Sequence, residues 1–181
     1  MPLPQAGCIP VVKHVPGHGR ALVDSHLDLP RVLATSAELA LDCTPFAALA
    51  GIAAWAMTAH IVYEAWDADL PATLSPRVIG EVIRGAIGFP GILVSDDLCM
   101  KALRGEAGAL ARQSLAAGCD LVLHCNGDLA EGAALLRHCP PLTDQAAERL
   151  ATTRARVLEA REILDPRVLV ATRDAQLTAS A

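Results

Sequence analysis

Four short apolar segments, each ending in polar residues, restrict the fold of this 181-residue chain more than any other feature of its sequence. Continuous apolar runs within them, such as Ile92-Leu93-Val94, lack the alternation of a strand that has one solvated face. Such runs are typical of parallel strands that are covered on both faces. The sequence therefore predicts four buried parallel strands, at 8–14, 52–60, 91–97 and 120–126.

Helical patterns separate and follow these strands. Ser36 is placed to cap the first helix, Pro76 stands at the first position of the second, and Gly118 ends the third. After the last pattern a polar tail remains at 165–181, which we expect to be loosely held, and the preceding residues 1–164 are interpreted as one domain without a linker. The predicted helices cover 36–50, 75–87, 107–117 and 143–164.

Repeated strand–helix units predict a parallel α/β architecture, either doubly wound or a TIM barrel. In both architectures the chemistry lies beyond the carboxyl ends of the strands. Four strands do not close a barrel, which takes eight strands and about 250 residues. A half-barrel would expose two unpaired strand edges and an apolar inner face, so we expect it to self-associate or to be part of a longer chain.

Charge and cysteine content exclude several function classes. Lys and Arg number 15 against 20 for Asp and Glu, and the formal net charge of −5 attracts neither nucleic acid nor a membrane of anionic lipid. The six cysteines form no C-x-x-C pair, and we interpret them as reduced thiols of a cytoplasmic protein. No secretory signal is recognised at the start of the sequence.

One uncharged stretch, residues 43–63, is long enough to be tested as a membrane span. It is rich in alanine rather than leucine and contains Pro45 and Gly51. We therefore expect a buried helix followed by a buried strand in this stretch, and no membrane span.

The densest set of reactive side chains lies between Lys13 and His26. Prolines and glycines interrupt this segment, so it is a loop in which Asp24 and His26 could lie on the same side. A carboxylate that orients an imidazole is the arrangement that general acid/base catalysis requires near neutral pH. Two other interpretations are a surface loop with incidental histidines and a metal site formed by His14, His18 and His60.

The third predicted strand ends in two adjacent carboxylates, Asp96 and Asp97. Strand alternation places one of them towards a pocket and the other away from it. One would then react, while the other caps a helix or pairs with a cation; capping by either of them is the alternative without chemistry.

Eight segments of the sequence match, in order and spacing, motifs of a known family. They resemble those of the bacterial β-N-acetylglucosaminidases of glycoside hydrolase family 3, and the resemblance runs from about Gly7 to Leu164. Its most specific part is the loop at 13–19 joined to 24–26. The segments are Lys13-His14-Val15-Pro16-Gly17-His18-Gly19, Asp24-Ser25-His26, Met57-Thr58-Ala59-His60, Pro71-Ala72-Thr73-Leu74-Ser75, Gly88-Phe89, Ser95-Asp96-Asp97-Leu98, Ala117-Gly118-Cys119-Asp120 and Cys125-Asn126.

The resemblance implies a (β/α)8 TIM barrel and a retaining hydrolase that removes terminal β-linked N-acetylglucosamine, chiefly from cell-wall muropeptides recycled in the cytoplasm. It implies no metal and no cofactor. The sequence begins just before what the resemblance makes the fifth strand, so about four βα units are expected. We therefore expect a truncated product, a fragment of a split reading frame or an incomplete record, with a catalytically silent fragment as the alternative to an active enzyme.

Carried over by position, the resemblance makes Asp96 the nucleophile and His26 the acid/base, paired with Asp24 on a mobile loop. A retaining glycosidase needs a carboxylate that bonds to the sugar and a group that first donates and then abstracts a proton. Histidine replaces the usual second carboxylic acid here, and its proton exchange near neutral pH suits both steps. We expect a structure without ligand to show His26 away from Asp96.

The same resemblance implies three substrate-binding residues. Lys13 and His14 would bind sugar hydroxyls at the floor of the pocket. His60 would form part of its wall or contact a hydroxyl, and Asp97 would support the nucleophile.

Overall fold

The computed structural model describes residues 6–52, 54–162 and 165–179. Its main sheet has four parallel strands in the order β1-β3-β5-β6, and a second sheet pairs the short parallel strands β2 and β4. The strand bounds are β1 Val11–Val15, β2 Arg31–Val32, β3 Trp55–Thr58, β4 Val62–Tyr63, β5 Ile92–Asp97 and β6 Leu121–Leu123. The four predicted strands are thus confirmed, each shorter than its apolar segment.

Neighbours in the main sheet follow one another along the chain without a reversal of direction. A doubly wound sheet has such a reversal, whereas successive strands of a TIM barrel are laid down side by side. The order therefore favours a part of a barrel over the doubly wound alternative.

Helices connect the strands and follow the sheet. Between β3 and β5 lie a 3₁₀ turn, Ala72–Leu74, and a π-helix, Val78–Ala86. The α-helices are α1 Ser36–Asp42, α2 Thr44–Leu49, α3 Ala107–Ala117, α4 Leu129–His138, α5 Asp144–Ala160 and α6 Pro166–Ala179. Sequence reasoning missed α4, whose N-terminus is capped by the Asp128 carboxylate.

The single helix expected at 36–50 is wrong in two respects. It is split into α1 and α2, because Pro45 occupies the first turn of α2 and a proline does not continue a preceding helix. Its cap is Thr35 rather than Ser36: the Thr35 hydroxyl accepts the Glu38 N–H at 3.3 Å, and Glu38 in return accepts the Thr35 N–H at 2.9 Å. None of the side chains of α2 is buried, so the buried helix expected in the stretch 43–63 is also wrong.

The remaining helix predictions agree more closely. The π-helix and α5 lie within the predicted helices, and α3 ends at Gly118, as expected. Gly118 has φ +115°, and a Cβ there would lie 2.9 Å from Cγ2 of Ile79, so both backbone and packing require glycine. The segment expected to be a loose polar tail forms α6, none of whose residues is buried.

The larger core cluster lies between the sheet and the helices that cover one face. Ala56 and Leu93 of the strands pack in this cluster with Ile79 and Ile83 of the π-helix and with Phe89. The six cysteines are free thiols, as predicted. No helix among the described residues is both long and apolar enough to cross a membrane.

Candidate active site

The carboxyl ends of the four main strands bring titratable side chains, several of them predicted site residues, to one edge of the sheet. His14 lies near the end of β1, His60 follows β3, Asp96 and Asp97 end β5, and His124 follows β6. Parallel strands that pair side by side place these ends next to one another. This edge is therefore the candidate active site.

Asp96 is the buried carboxylate of the site, with 9% of its surface exposed. Its Oδ1 accepts the backbone N–H of Asp97 at 2.9 Å, and its Oδ2 lies 3.4 Å from Nε2 of His14. Burial lowers the pKa of His14, although the Asp96 carboxylate opposes this shift, so the imidazole is neutral at pH 7. Asp96 thus keeps one oxygen that no strong donor holds, as a nucleophile requires.

His60 is fully buried behind Asp96, and both of its ring nitrogens are engaged by the protein. Nε2 lies 3.0 Å from the Asp97 carbonyl oxygen, which can only accept, so Nε2 carries the proton. Nδ1 lies 2.7 Å from the Thr73 hydroxyl, which also contacts the Thr58 hydroxyl at 2.8 Å. Burial lowers the pKa of His60, consistent with a neutral ring. His60 therefore braces the end of β5; its place in the wall of the pocket and its contact with a sugar hydroxyl both stay predictions.

The predicted proton carrier lies on the loop after β1. Nδ1 of His26 and Oδ1 of Asp24 are 2.7 Å apart, and the same oxygen accepts the His26 backbone N–H at 2.9 Å. These hydrogen bonds lower the pKa of Asp24, first the backbone bond and then that from the ring. With Nδ1–H held by the carboxylate, Nε2 of His26 remains available for proton transfer.

His26 is not in contact with Asp96: no hydrogen bond or ion pair joins them, and the His26 side chain is 74% exposed. The loop is attached to the site through Ser25, whose buried hydroxyl lies 3.3 Å from Nε2 of His18. The His18 ring packs edge-on against that of His14, with centroids 5.6 Å apart. Sequence reasoning did not anticipate this attachment, although D-S-H places a small hydroxyl between the two reactive residues.

Lys13 lies on β1, and Asp97 is the last residue of β5. The exposed Lys13 pairs in register with Met57 of β3. Asp97 does not cap a helix, and neither does Asp96, because the next α-helix starts at Ala107; the capping alternative is therefore wrong. Instead, Oδ1 of Asp97 accepts the backbone N–H groups of Cys99 and Cys125, each at 3.0 Å. Asp97 thus ties the segments that follow β5 and β6 together.

The described residues do not support a metal site of His14, His18 and His60. The group among them whose ligand atoms come close enough is Asp97, Cys99 and His124. Sequence reasoning missed it because Cys99 and His124 are 25 residues apart.

A cavity of about 700 Å³ lies elsewhere, beside β6. Its apolar lining includes Leu115, Leu121, Val122 and Leu136, and none of the predicted site residues takes part in it.

Comparison with known proteins identifies relatives along most of the chain. The family model described as the glycosyl hydrolase family 3 N terminal domain matches residues 2–160. A β-hexosaminidase of Alkalilimnicola ehrlichii is 49% identical over 153 residues, which cover 80% of this chain and 43% of that protein. The chain thus spans less than half the length of this relative.

Two solved structures share the fold. A glycoside hydrolase family 3 β-N-acetylglucosaminidase from Paenibacillus sp. superposes with a TM-score of 0.78 and 33% identity over 88% of this chain and 33% of its own length. NagZ from Neisseria gonorrhoeae, in complex with N-trifluoroacetyl-D-glucosamine, superposes with a TM-score of 0.68 and 34% identity over 82% of this chain and 45% of its own length. The fold is therefore part of a TIM-barrel-like α/β domain.

Proposed function

Because the chain belongs to glycosyl hydrolase family 3, we propose that it carries the nucleophile and the acid/base of a retaining β-N-acetylglucosaminidase. The observation that carries the proposal is the state of Asp96: a buried carboxylate at the carboxyl end of a barrel strand, with one oxygen free of strong donors. The names of the relatives, β-hexosaminidase and β-N-acetylglucosaminidase, support the same reaction class.

In the first step the free oxygen of Asp96 attacks the anomeric carbon of a terminal N-acetylglucosamine. The bond from this carbon to the leaving oxygen breaks, and the protonated His26 gives its Nε2 proton to that oxygen. A covalent glycosyl-enzyme and a neutral imidazole result. The neutral state of His14 supports this step, because a cation at 3.4 Å would hold the negative charge that the attack requires.

In the second step water attacks the same carbon and transfers a proton to Nε2 of His26, while the bond to Asp96 breaks. Asp24 holds the opposite ring nitrogen and stabilises the charged imidazolium in both steps. Since His26 is exposed and not in contact with Asp96, the loop must close over the sugar before the proton can be transferred.

For the substrate we propose muropeptides that are recycled from the cell wall in the cytoplasm. Lys13 and His14, which are neighbours on β1, would bind sugar hydroxyls at the floor of the pocket; of the two, His14 lies against Asp96. The unpaired thiols and the absence of a membrane-spanning helix among the described residues are compatible with this location.

The test is hydrolysis of p-nitrophenyl N-acetyl-β-D-glucosaminide by the chain. Asp96→Asn is expected to lower kcat/KM by roughly 10³-fold or more, and His26→Ala by roughly 10²–10⁴-fold. Asp28→Asn, which removes an exposed carboxylate from the same loop, is the matched control and should leave the rate unchanged. An active chain whose rate survives Asp96→Asn would overturn the assignment.

Trapping gives a second readout for the same residue. A fluorinated substrate whose glycosyl-enzyme hydrolyses slowly should label Asp96, and peptide mass spectrometry locates the label. A label on any other side chain contradicts the proposed nucleophile.

A second candidate function is a catalytically silent barrel fragment that self-associates or pairs with a chain that supplies the other strands. The observation that favours it is that β1 and β6 are edge strands of the main sheet in the described part of the chain. Unpaired parallel edges are sites of association. Light scattering after size exclusion distinguishes the candidates: a monomer with a cooperative thermal transition contradicts association, and an inactive oligomer favours it.

A further inference from the structure

Three side chains of different chemistry converge beyond the ends of β5 and β6, next to the proposed nucleophile. They are Asp97, Cys99 and His124, and their ligand atoms all lie within 4.8 Å of one another. The Sγ of Cys99 is 2.9 Å from Nδ1 of His124. Neither Cys99 nor His124 has a part in the proposed hydrolysis.

The backbone holds these three residues in place. Oδ1 of Asp97 accepts the N–H of Cys99 and that of Cys125, the neighbour of His124. In addition, the N–H of Leu98 donates to the carbonyl oxygen of Leu123 at 3.0 Å. The segments that carry the thiol and the imidazole are therefore fixed relative to each other by hydrogen bonds that do not involve the thiol or the imidazole ring. Such preorganisation is what a binding site requires.

The surroundings of His124 suit a ligand as well. Its side chain is 10% exposed, and Nε2 lies 3.7 Å from a carboxylate oxygen of Glu131. The nearby Glu131 carboxylate favours the proton on Nε2, which leaves Nδ1, the nitrogen that faces Cys99, to coordinate an ion. A cavity of about 590 Å³, lined in part by Cys99, His124 and Glu131, gives access from solvent.

We propose that Asp97, Cys99 and His124 bind a Zn²⁺ ion. Zinc takes thiolate, imidazole and carboxylate ligands in a tetrahedral arrangement, whereas Mg²⁺ and Ca²⁺ prefer oxygen ligands throughout. Three protein ligands leave the fourth position for water from the cavity. On binding, the thiol of Cys99 releases its proton to solvent and its sulfur bonds to the ion.

The test is metal titration of the 181-residue chain after removal of metals with a chelator under reducing conditions. We expect one Zn²⁺ per chain, measured by competition with a chromophoric chelator. Co²⁺ in place of Zn²⁺ should give the charge-transfer absorption of a cobalt–thiolate bond. This absorption reports the Cys99 ligand directly and does not depend on glycosidase activity, so it separates this inference from the proposed function.

Substitution of two of the proposed ligands tests where the ion binds. Cys99→Ser and His124→Ala are each expected to weaken Zn²⁺ binding by more than about 100-fold, since loss of outer-shell partners alone costs 10–100-fold. Cys125→Ser, at the next exposed thiol, is the matched control and should bind as the parent does. Circular dichroism checks that each variant is folded.

Three outcomes would overturn the proposal. One is the absence of Zn²⁺ binding, and another is binding without the cobalt–thiolate absorption. The third is binding that survives Cys99→Ser but is lost in Asp96→Asn, which would assign the ion to Asp96 and His14.

Discussion

Two aspartates at opposite ends of the sheet have the same exposure, 9%, and very different surroundings. Asp120 lies just before β6, at the amino end, and Asp96 lies at the carboxyl end of β5. The Asp120 carboxylate accepts hydrogen bonds from Arg84 and Arg149, both at 2.7 Å. It also accepts the buried N–H of Leu93 at 2.8 Å.

The difference shows that burial alone does not identify a reactive carboxylate. In Asp120 both oxygens are committed to donors from three other segments, so the group joins β5, β6, the π-helix and α5. In Asp96 one oxygen has a backbone donor, and the other has only the neutral His14 at 3.4 Å. A carboxylate whose two oxygens both accept strong hydrogen bonds stabilises the fold, whereas one with an oxygen that lacks a strong donor is available for chemistry.

Loss of the Asp120 carboxylate should destabilise the fold more than any other change considered. Asp120→Ala is expected to lower the free energy of unfolding by about 3–5 kcal/mol, because it leaves the partly buried Arg84 and Arg149 without their counter-charge. The N–H of Leu93 also loses its acceptor. Urea denaturation followed by circular dichroism measures the change.

Asp96→Ala is the control for this prediction. It removes one backbone hydrogen bond and one long contact with His14, so a loss of about 1 kcal/mol is expected. Equal losses of unfolding free energy at the two aspartates would show that the number of hydrogen bonds to the carboxylate does not distinguish the two ends of the sheet.

Two glycines that flank β6 also differ in how tightly the chain packs around them. Gly118→Ala forces an unfavourable backbone conformation and brings a Cβ within 2.9 Å of Ile79, so about 2–4 kcal/mol of stability should be lost. Gly127, past the other end of β6, has φ +76° but nothing within 4 Å of a Cβ, and Gly127→Ala should cost about 1–2 kcal/mol. The shift of the urea midpoint checks both, and a smaller loss at Gly118 than at Gly127 would contradict the tight packing of the amino end.

The sequence predicts the carboxyl end of the sheet better than the amino end. Reactive residues at the carboxyl end directly follow apolar strands, so His14 and Asp96 can be placed from local pattern alone. The cluster around Asp120 has no such pattern, because Arg84 and Arg149 are 36 and 29 residues away along the chain. Only the folded packing of the π-helix and α5 brings them together.

The errors in the first two helices have local causes. The Thr35-x-x-Glu38 capping box and the helix-breaking Pro45 were both present in the sequence, and they mark the true bounds of α1 and α2. The sequence does not predict that the helix Val78–Ala86 is a π-helix, because its apolar spacing also fits an α-helix. The contacts that fix His60 are not local, because Thr73, which contacts both the His60 ring and the Thr58 hydroxyl, is 13 residues away from His60 along the chain.

At the carboxyl end, the free energy of unfolding should depend weakly on pH through the titration of His60. Burial holds the pKa of His60 below its usual value of about 6.5 in the folded chain. Above that value neither state binds the proton; below it the unfolded chain binds one and the folded chain does not. Stability should therefore fall as the pH drops below about 6.5, by at most about 1.4 kcal/mol per pH unit, until the lowered folded pKa is reached.

Urea denaturation at pH 7 and pH 5.5, in the parent chain and in His60→Gln, isolates this contribution. The loss between the two pH values should be smaller in His60→Gln, whatever its absolute stability, because glutamine does not titrate. His14→Gln should reduce the loss less, since the half-buried His14 is also favoured in its charged form by the Asp96 carboxylate. If all three chains lost the same stability, the acid sensitivity would lie outside the carboxyl end, and the neutral state assigned to His60 and His14 would be wrong.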